Sequence, residues 1–256
     1  MTKTATFHDI KGKSVYITGG GSGIGASLTD GFLAQGANVA FIGRSDATDF
    51  VAQMEAKHGR APLFLQGDIT DTDHLRATMR TAAQAHGPID IQVNNAANDD
   101  RHAVEDVTED YWDWMQAINL KSYFFACQEA ARQMRANGGG VIVNFSSISY
   151  IMGGAGYAAY TTANAGITGM TRSLARDLGP DHIRVNALAP GWVLTEKQMD
   201  KWATPEALAA HLQTQCLKEH LAPQDVVDAV LFLSSGTSRM MTGQCMVVDG
   251  GVVVTG

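Results

Sequence analysis

Ser14-Val15-Tyr16-Ile17-Thr18-Gly19-Gly20-Gly21-Ser22-Gly23-Ile24-Gly25 is the stretch whose reading decides the fold. A short apolar, β-branched run ends in a cluster of glycines, and helical periodicity begins directly after it. Strand, glycine turn and helix in that order open a βαβ unit. Glycines permit the tight turn and let backbone N–H groups approach a pyrophosphate at the positive end of the helix. Gly19, Gly21, Ser22, Gly23 and Ile24 are therefore candidate dinucleotide contacts. A glycine string alone would equally describe a structural turn, so its place between a strand and a helix carries the inference.

Outward from this stretch, short apolar runs alternate with longer segments of helical spacing. Strands are expected at 14–18, 38–43, 62–66, 89–94, 140–145, 183–189 and 244–248. Helices are expected at 23–35, 48–58, 72–86, 109–137, 155–178, 205–219 and 224–235. Thr204-Pro205-Glu206 is a strong helix start, with a capping hydroxyl, proline at the first position and an early acid. The alternation predicts an α/β chain: one doubly wound Rossmann domain over residues 1–256, with a seven-stranded parallel sheet and helices on both faces.

In such sheets ligands sit beyond the carboxyl ends of the strands. The polar and glycine-rich clusters at 18–25, 43–45, 67–69, 94–98, 146–149 and 190–195 each follow one of the expected strands. Their convergence on one edge predicts a shared ligand. At the end of the second strand an acid would bind the adenosine ribose of NAD and repel a 2′-phosphate. The chain has Gly43-Arg44-Ser45 there, and a guanidinium pairs well with phosphate. Arg44 thus favours NADP or use of both cofactors, whereas Asp46 nearby keeps NAD open. Asp68 and Ile69 are placed to meet the adenine. Asn95-Ala96-Ala97 offers small residues where the cofactor passes the backbone, and Pro190, Gly191, Val193 and Thr195 complete the candidate set.

Bulk properties narrow the partners. Of 256 residues, 45% are apolar and 18% charged, an ordinary globular balance. A formal charge of −7 without a basic block excludes nucleic acid as the main partner. No apolar stretch reaches the roughly 18 residues of a membrane span, and the first 13 residues do not read as a signal peptide. Cys127, Cys216 and Cys245 are too scattered for a disulfide framework or a metal cluster, so no metal is expected and the cytoplasm is the expected compartment.

Thr18 to Gly25, Asp68, Asn94-Asn95-Ala96-Ala97, Asn119, Ser147, Tyr160, Arg184-Val185-Asn186, Pro190-Gly191 and Asp249-Gly250-Gly251 together resemble the short-chain dehydrogenase/reductase family along essentially the whole chain. More narrowly, residues 98–102 and 215–218 and the Trp112-centred helix are similar to bacterial aldose 1-dehydrogenases of the D-xylose dehydrogenase type.

The resemblance implies hydride transfer between a hydroxyl-bearing carbon and a nicotinamide, with the protein removing the hydroxyl proton. Tyr160 would be the base, Ser147 the group that holds the substrate oxygen, and Asn119 the organiser of a water-linked proton path. The family has a lysine four residues after the tyrosine; here that position holds Asn164. The 13 residues from Ser147 to Tyr160 and the 22 from Asn164 to Asn186 match the family spacing, so Asn164 occupies the lysine position and Tyr157 is not the base. Asn164 could still reach the cofactor ribose through hydrogen bonds, but it supplies no charge. A phenol has a pKa near 10, so slow turnover at neutral pH and a steep alkaline rise are expected.

Asn98, Asp99, Arg101, His102, Ser149, Tyr150, Trp192, Lys197 and Trp202, with Ser147, are the candidate sugar contacts, and residues 190–220 are the segment expected to cover the substrate. The family's usual homotetramer is the expected assembly. Oxidation of a sugar at its anomeric carbon is the leading expectation. Ketone or other alcohol chemistry, and a nicotinamide-binding protein weakened by Asn164, are the alternatives.

Overall fold

The computed structural model describes residues 5–254. Seven strands form one sheet in the order β3-β2-β1-β4-β5-β6-β7, and every pairing is parallel. They are β1 (Ser14–Thr18), β2 (Asn38–Gly43), β3 (Leu63–Gln66), β4 (Ile91–Asn94), β5 (Gly140–Phe145), β6 (Ile183–Pro190) and β7 (Cys245–Val248). The strand order reverses between β1 and β4, which opens a crevice at their carboxyl ends.

Alternate side chains of the strands feed two cores, because successive Cβ atoms point to opposite faces. Val15, Ile17, Val39, Phe41, Val93 and Phe145 pack with Leu28 and Phe32 of α1 (Gly23–Ala34) and with Val227, Val230 and Leu231 of α10 (Pro223–Ser234). Tyr16, Ile42, Ile142 and Val185 face the other side. There they meet Leu75 and Met79 of α3 (Thr72–His86), Ala126, Ala130 and Met134 of α5 (Ser122–Ala136), and Ala175 and Leu178 of α7 (Ala158–Leu178). Leu28 and Phe32 are fully buried. Each contributes on the order of 1.5–3 kcal/mol, which anchors α1 with its N-terminus at the sheet edge.

Three departures from the expected elements bear on the site. The expected helix at 109–137 is α4 (Glu109–Gln116) and α5 separated by a π-helical turn, Ala117–Lys121. Asn119 sits in that turn, and its Nδ2 donates to Met115 O at 3.0 Å. The expected helix at 205–219 ends as α9 (Pro205–Thr214). Beyond it Gln215 is buried, and its Nε2 donates to the carbonyls of Leu217 and Glu219, so the chain folds around that amide instead of continuing the helix. Two short helices, α6 (Ser149–Met152) and α8 (Glu196–Lys201), complete the set together with α2 (Thr48–His58). No helix among the described residues is long and apolar enough to cross a membrane.

Candidate active site

A cleft of about 1380 Å³ runs along the carboxyl edge of the sheet and receives residues from every cluster singled out in the sequence. Its size exceeds the roughly 300–1,000 Å³ typical of a small-molecule pocket, so it has room for a dinucleotide and a substrate together.

The glycine turn forms one end. Gly19 has φ +71°, and a Cβ on Gly25 would lie 1.8 Å from the Gly19 carbonyl oxygen, so neither position admits a side chain without distortion. Asn95 fixes the turn from β4: its backbone N–H donates to Thr18 Oγ1 at 2.9 Å, and its Nδ2 donates to Thr18 O at 3.0 Å. Ser22 is the N-cap of α1 but makes no side-chain cap bond, and the first turn of α1 carries no acid. The positive helix end and a hydroxyl thus both face the cleft, which fits a pyrophosphate.

Arg44 lies at the mouth of the same end, half exposed, with Nη1 4.0 Å from Asp68 Oδ2. The Asp46 carboxylate is occupied by Thr48, accepting from its N–H at 3.0 Å and its hydroxyl at 2.6 Å. Asp68 Oδ1 likewise accepts from Thr70. Gly21, Gly23, Ile24, Ile69, Ala96, Ala97, Pro190, Gly191, Val193 and Thr195 line the cleft between this mouth and the chemical end. The residues present therefore fit a nicotinamide dinucleotide along the cleft.

Ser147 and Tyr160 line the other end. Burial pushes the Tyr160 phenol up to about 12, reinforced by the Asp99 carboxylate; the Ser147 hydroxyl and the Asn164 amide pull in the opposite direction. Asn164 is 2% exposed and does not line the cleft. Its Nδ2 donates to Tyr160 O at 2.9 Å, one helical turn back, so it braces the tyrosine and does not present itself to a ribose. Asn119 is also withdrawn. Its Oδ1 accepts from the Asn98 N–H at 2.8 Å and its Nδ2 donates to Met115 O, so its side chain ties the loop after β4 to the π-helical turn.

Of the candidate sugar contacts, Arg101, Ser147, Ser149 and Trp192 line the cleft, and Ser149 Oγ is buried without a hydrogen-bond partner among the described residues. Four others lie elsewhere. Asn98 folds onto Asp100, accepting from its N–H at 2.8 Å and donating to its carboxylate at 3.1 Å. His102 accepts from the Ala159 N–H at 3.3 Å, close to the start of α7, and its Nδ1 meets the Tyr111 hydroxyl at 3.2 Å. It caps the helix that carries Tyr160. Tyr150 lines a separate cavity of about 670 Å³ with Arg172 and Cys245. The Trp202 ring packs under Arg101, whose guanidinium is 5.4 Å from its centre.

The expected Asp99 and Lys197 also line the cleft, as do Tyr157 and two residues outside the expected set, Gln198 and His211. Asp99 accepts from Lys197 Nζ at 2.7 Å and from Gln198 Nε2 at 2.8 Å. Gln198 Oε1 in turn accepts from Trp192 Nε1 at 2.9 Å. Tyr157 receives the Arg101 guanidinium 4.1 Å above its ring. His211, on α9, stands edge-on to Trp192 with ring centres 5.3 Å apart, and its Nε2 is buried without a partner among the described residues. Burial, together with His220, lowers the pKa of its imidazole, with Asp249 opposing. Residues 190–220 were expected to cover the substrate, but nothing local in the sequence shows which of their groups turn toward the cleft.

Residues 19–253 match the family described as enoyl-(acyl carrier protein) reductase. The chain is 46% identical to the Rhizobium meliloti (strain 1021) protein named "Probable galactose dehydrogenase GalD", over 97% of this chain and 98% of that one. It is 43% identical to D-xylose 1-dehydrogenase of Caulobacter vibrioides, with the same coverage. A solved structure of a variant Serratia marcescens short-chain dehydrogenase/reductase superposes with a TM-score of 0.88 at 32% identity, over 96% of this chain and 100% of that one. With the parallel sheet, the glycine turn and the Ser147–Tyr160 end of the cleft already in place, these likenesses identify the chain as an oxidoreductase belonging to the short-chain dehydrogenase/reductase family.

Proposed function

We propose that the protein is a nicotinamide-dependent aldose 1-dehydrogenase that oxidises the anomeric hydroxyl of a cyclic sugar to an aldonolactone. The observation that carries this reading is the polar wall opposite Ser147 and Tyr160. Asp99, Lys197, Gln198 and His211 crowd one side of the cleft with Trp192 beside them. Hydroxyl-rich rings need donors and acceptors with an apolar face nearby, whereas a lipid-like ketone would leave Ser149 Oγ and His211 Nε2 without partners. The galactose and xylose dehydrogenase relatives support the same substrate class.

The bound nicotinamide supplies the hydride acceptor. Ser147 donates a hydrogen bond to the anomeric oxygen and Tyr160 removes its proton. Asn164 favours the phenolate as a hydrogen-bond donor, in a place where a lysine would add charge. Arg44 supports acceptance of both cofactors with NADP favoured, because its exposed guanidinium stands at the mouth with only a 4.0 Å contact to Asp68, while Asp46 is engaged by Thr48. Residues 190–220 act as the substrate cover of a single domain. A homotetramer in the cytoplasm is the family expectation; the exposed Trp112, Trp114 and Phe124 on α4 and α5 support a self-association surface there.

A panel of aldoses with NAD and NADP, read by nicotinamide absorbance and by lactone formation, tests the reading. Dinucleotide binding without turnover of any sugar or ketone at any pH would overturn it and favour a binding-only protein.

A further inference from the structure

Helix α8 and the loop after β4 meet through charge. Lys197 and Lys201 lie four residues apart, on one face of α8. They pair with the adjacent carboxylates Asp99, at 2.7 Å, and Asp100, at 3.5 Å. Gln198 adds a third bond to Asp99, and Trp192 fixes its orientation. Of the two carboxylates only Asp99 lines the cleft with Tyr160. Arg101, the other cation on this loop, is committed to the rings of Tyr157 and Trp202.

The groups facing Tyr160 are Asp99 from the loop, Ser147 after β5, Tyr123 from α5, and Asn164 and Tyr157 from its own helix. The cation of the loop, Arg101, lines the same cleft over the Tyr157 ring and acts on Asp99 at longer range. A negative carboxylate therefore shares the cleft with the group that must itself become negative, and its direct counter-ion comes from α8.

We propose that Lys197 is a positioning residue for proton removal: carried on α8, it neutralises Asp99 beside Tyr160, so that closure of this segment over the cleft supplies the charge balance that the α7 position 164 lacks. The proposal rests on Tyr160 being the base of the reaction proposed above. An ion pair with Lys197 45% and Asp99 23% exposed is weak enough to open and re-form. When it opens, Asp99 loses its direct counter-ion and keeps only the weaker influence of Arg101, and the phenolate is disfavoured. Proton removal would then be tied to the closed state.

The test compares pH profiles of kcat/KM for the wild type, Lys197→Met, Asp99→Asn and the double variant. Lys197→Met is expected to move the rising limb upward by roughly 0.5–1.5 pH units, a loss of about 3- to 30-fold at a fixed pH below it. Asp99→Asn is expected to move the limb downward, and to return it to the wild-type position or below when added to Lys197→Met. Lys197→Arg, which keeps the charge, should keep the limb. Ultraviolet tyrosinate titration of the dinucleotide-saturated protein, taken as the difference from Tyr160→Phe in each background, reads the same shifts without any sugar. The proposal thus stands or falls even if no sugar turns over. A uniform loss of rate at every pH with the Tyr160 titration unmoved would overturn it, as would failure of Asp99→Asn to restore the limb in the Lys197→Met background.

Discussion

Replacing Asn164 by lysine is the most direct probe of how Tyr160 loses its proton. The asparagine side chain lies against the Tyr160 carbonyl and close enough to the hydroxyl to favour its ionised form, yet the phenol is pushed up to about 12 by burial and by Asp99. Below that value each unit of pH changes the phenolate fraction tenfold, so the wild-type log(kcat/KM) should climb with a slope near 1 between pH 7 and 10. An ammonium within ~4–6 Å of the phenolate lowers its pKa by about 1–3 units, worth ~1.4–4 kcal/mol. The site is 2% exposed, so desolvation of the new charge works against it, and the nearby Asp99 carboxylate offsets part of that cost. The expected result for Asn164→Lys is a rise of about 10- to 1,000-fold in kcat/KM at pH 7.5, shrinking as pH approaches the wild-type limb. The assay is a pH–rate profile with the sugar found by the panel. A deuterium isotope effect at the anomeric carbon would show that chemistry limits the rate. A wild-type rate flat from pH 7 to 10 with a full isotope effect, or a variant whose limb does not move, would refute the reasoning.

Arg44→Ala should lower the NADP-to-NAD ratio of kcat/KM by about 10- to 100-fold, the scale of a lost charge-assisted bond to phosphate; a parallel fall with both cofactors would mean that Arg44 only flanks the adenine. His211→Ala should raise the sugar KM by about 3- to 10-fold with little change in kcat, as expected for one lost hydrogen bond to substrate, and an unchanged KM would remove His211 from the substrate wall. In the core, Asn144 accepts from Asn94 Nδ2 at 2.8 Å and donates to Thr171 at 3.0 Å, fully buried. Asn144→Ala strands both partners and should cost about 2–4 kcal/mol in urea unfolding, whereas a cost under ~1 kcal/mol would show that the network relaxes.

The sheet was legible because its strands are apolar runs, six of the seven ending in a polar or glycine-rich cluster that lines the cleft. β1, β2 and β5 fall on their expected residues and the others shift by one or two at an end. Local chemistry also placed Thr204 correctly, since its hydroxyl accepts from the Ala207 N–H at 3.2 Å. The break at Ala117–Lys121 was not legible: helical periodicity continues through it, and the Asn98 N–H that meets Asn119 comes from 21 residues away. The cofactor end was readable for a related reason. That end of the cleft is lined by backbone groups and small residues fixed by strand ends, so sequence position already determines geometry there.

The substrate end depends on side-chain direction instead, and the loop at 98–102 shows why a polar run could not be read as one unit. Asp99 and Arg101 line the cleft, while Asn98, Asp100 and His102 turn to the loop itself, to Lys201 and to the start of α7. Sides alternate residue by residue, as they do in an extended chain. Taken together, the five residues suggest a sugar-binding patch; taken by alternation, they divide into two that face the substrate and three that hold the loop against α7, α8 and the π-helical turn. That division explains how the His102 imidazole can sit so near the chemistry and still be structural. Its ring accepts a backbone N–H of the helix that carries Tyr160, so His102→Ala should act through the placement of that helix, lowering kcat at every pH with the alkaline limb in place. Asp99, one residue past Asn98 and on the opposite side, acts on the limb itself.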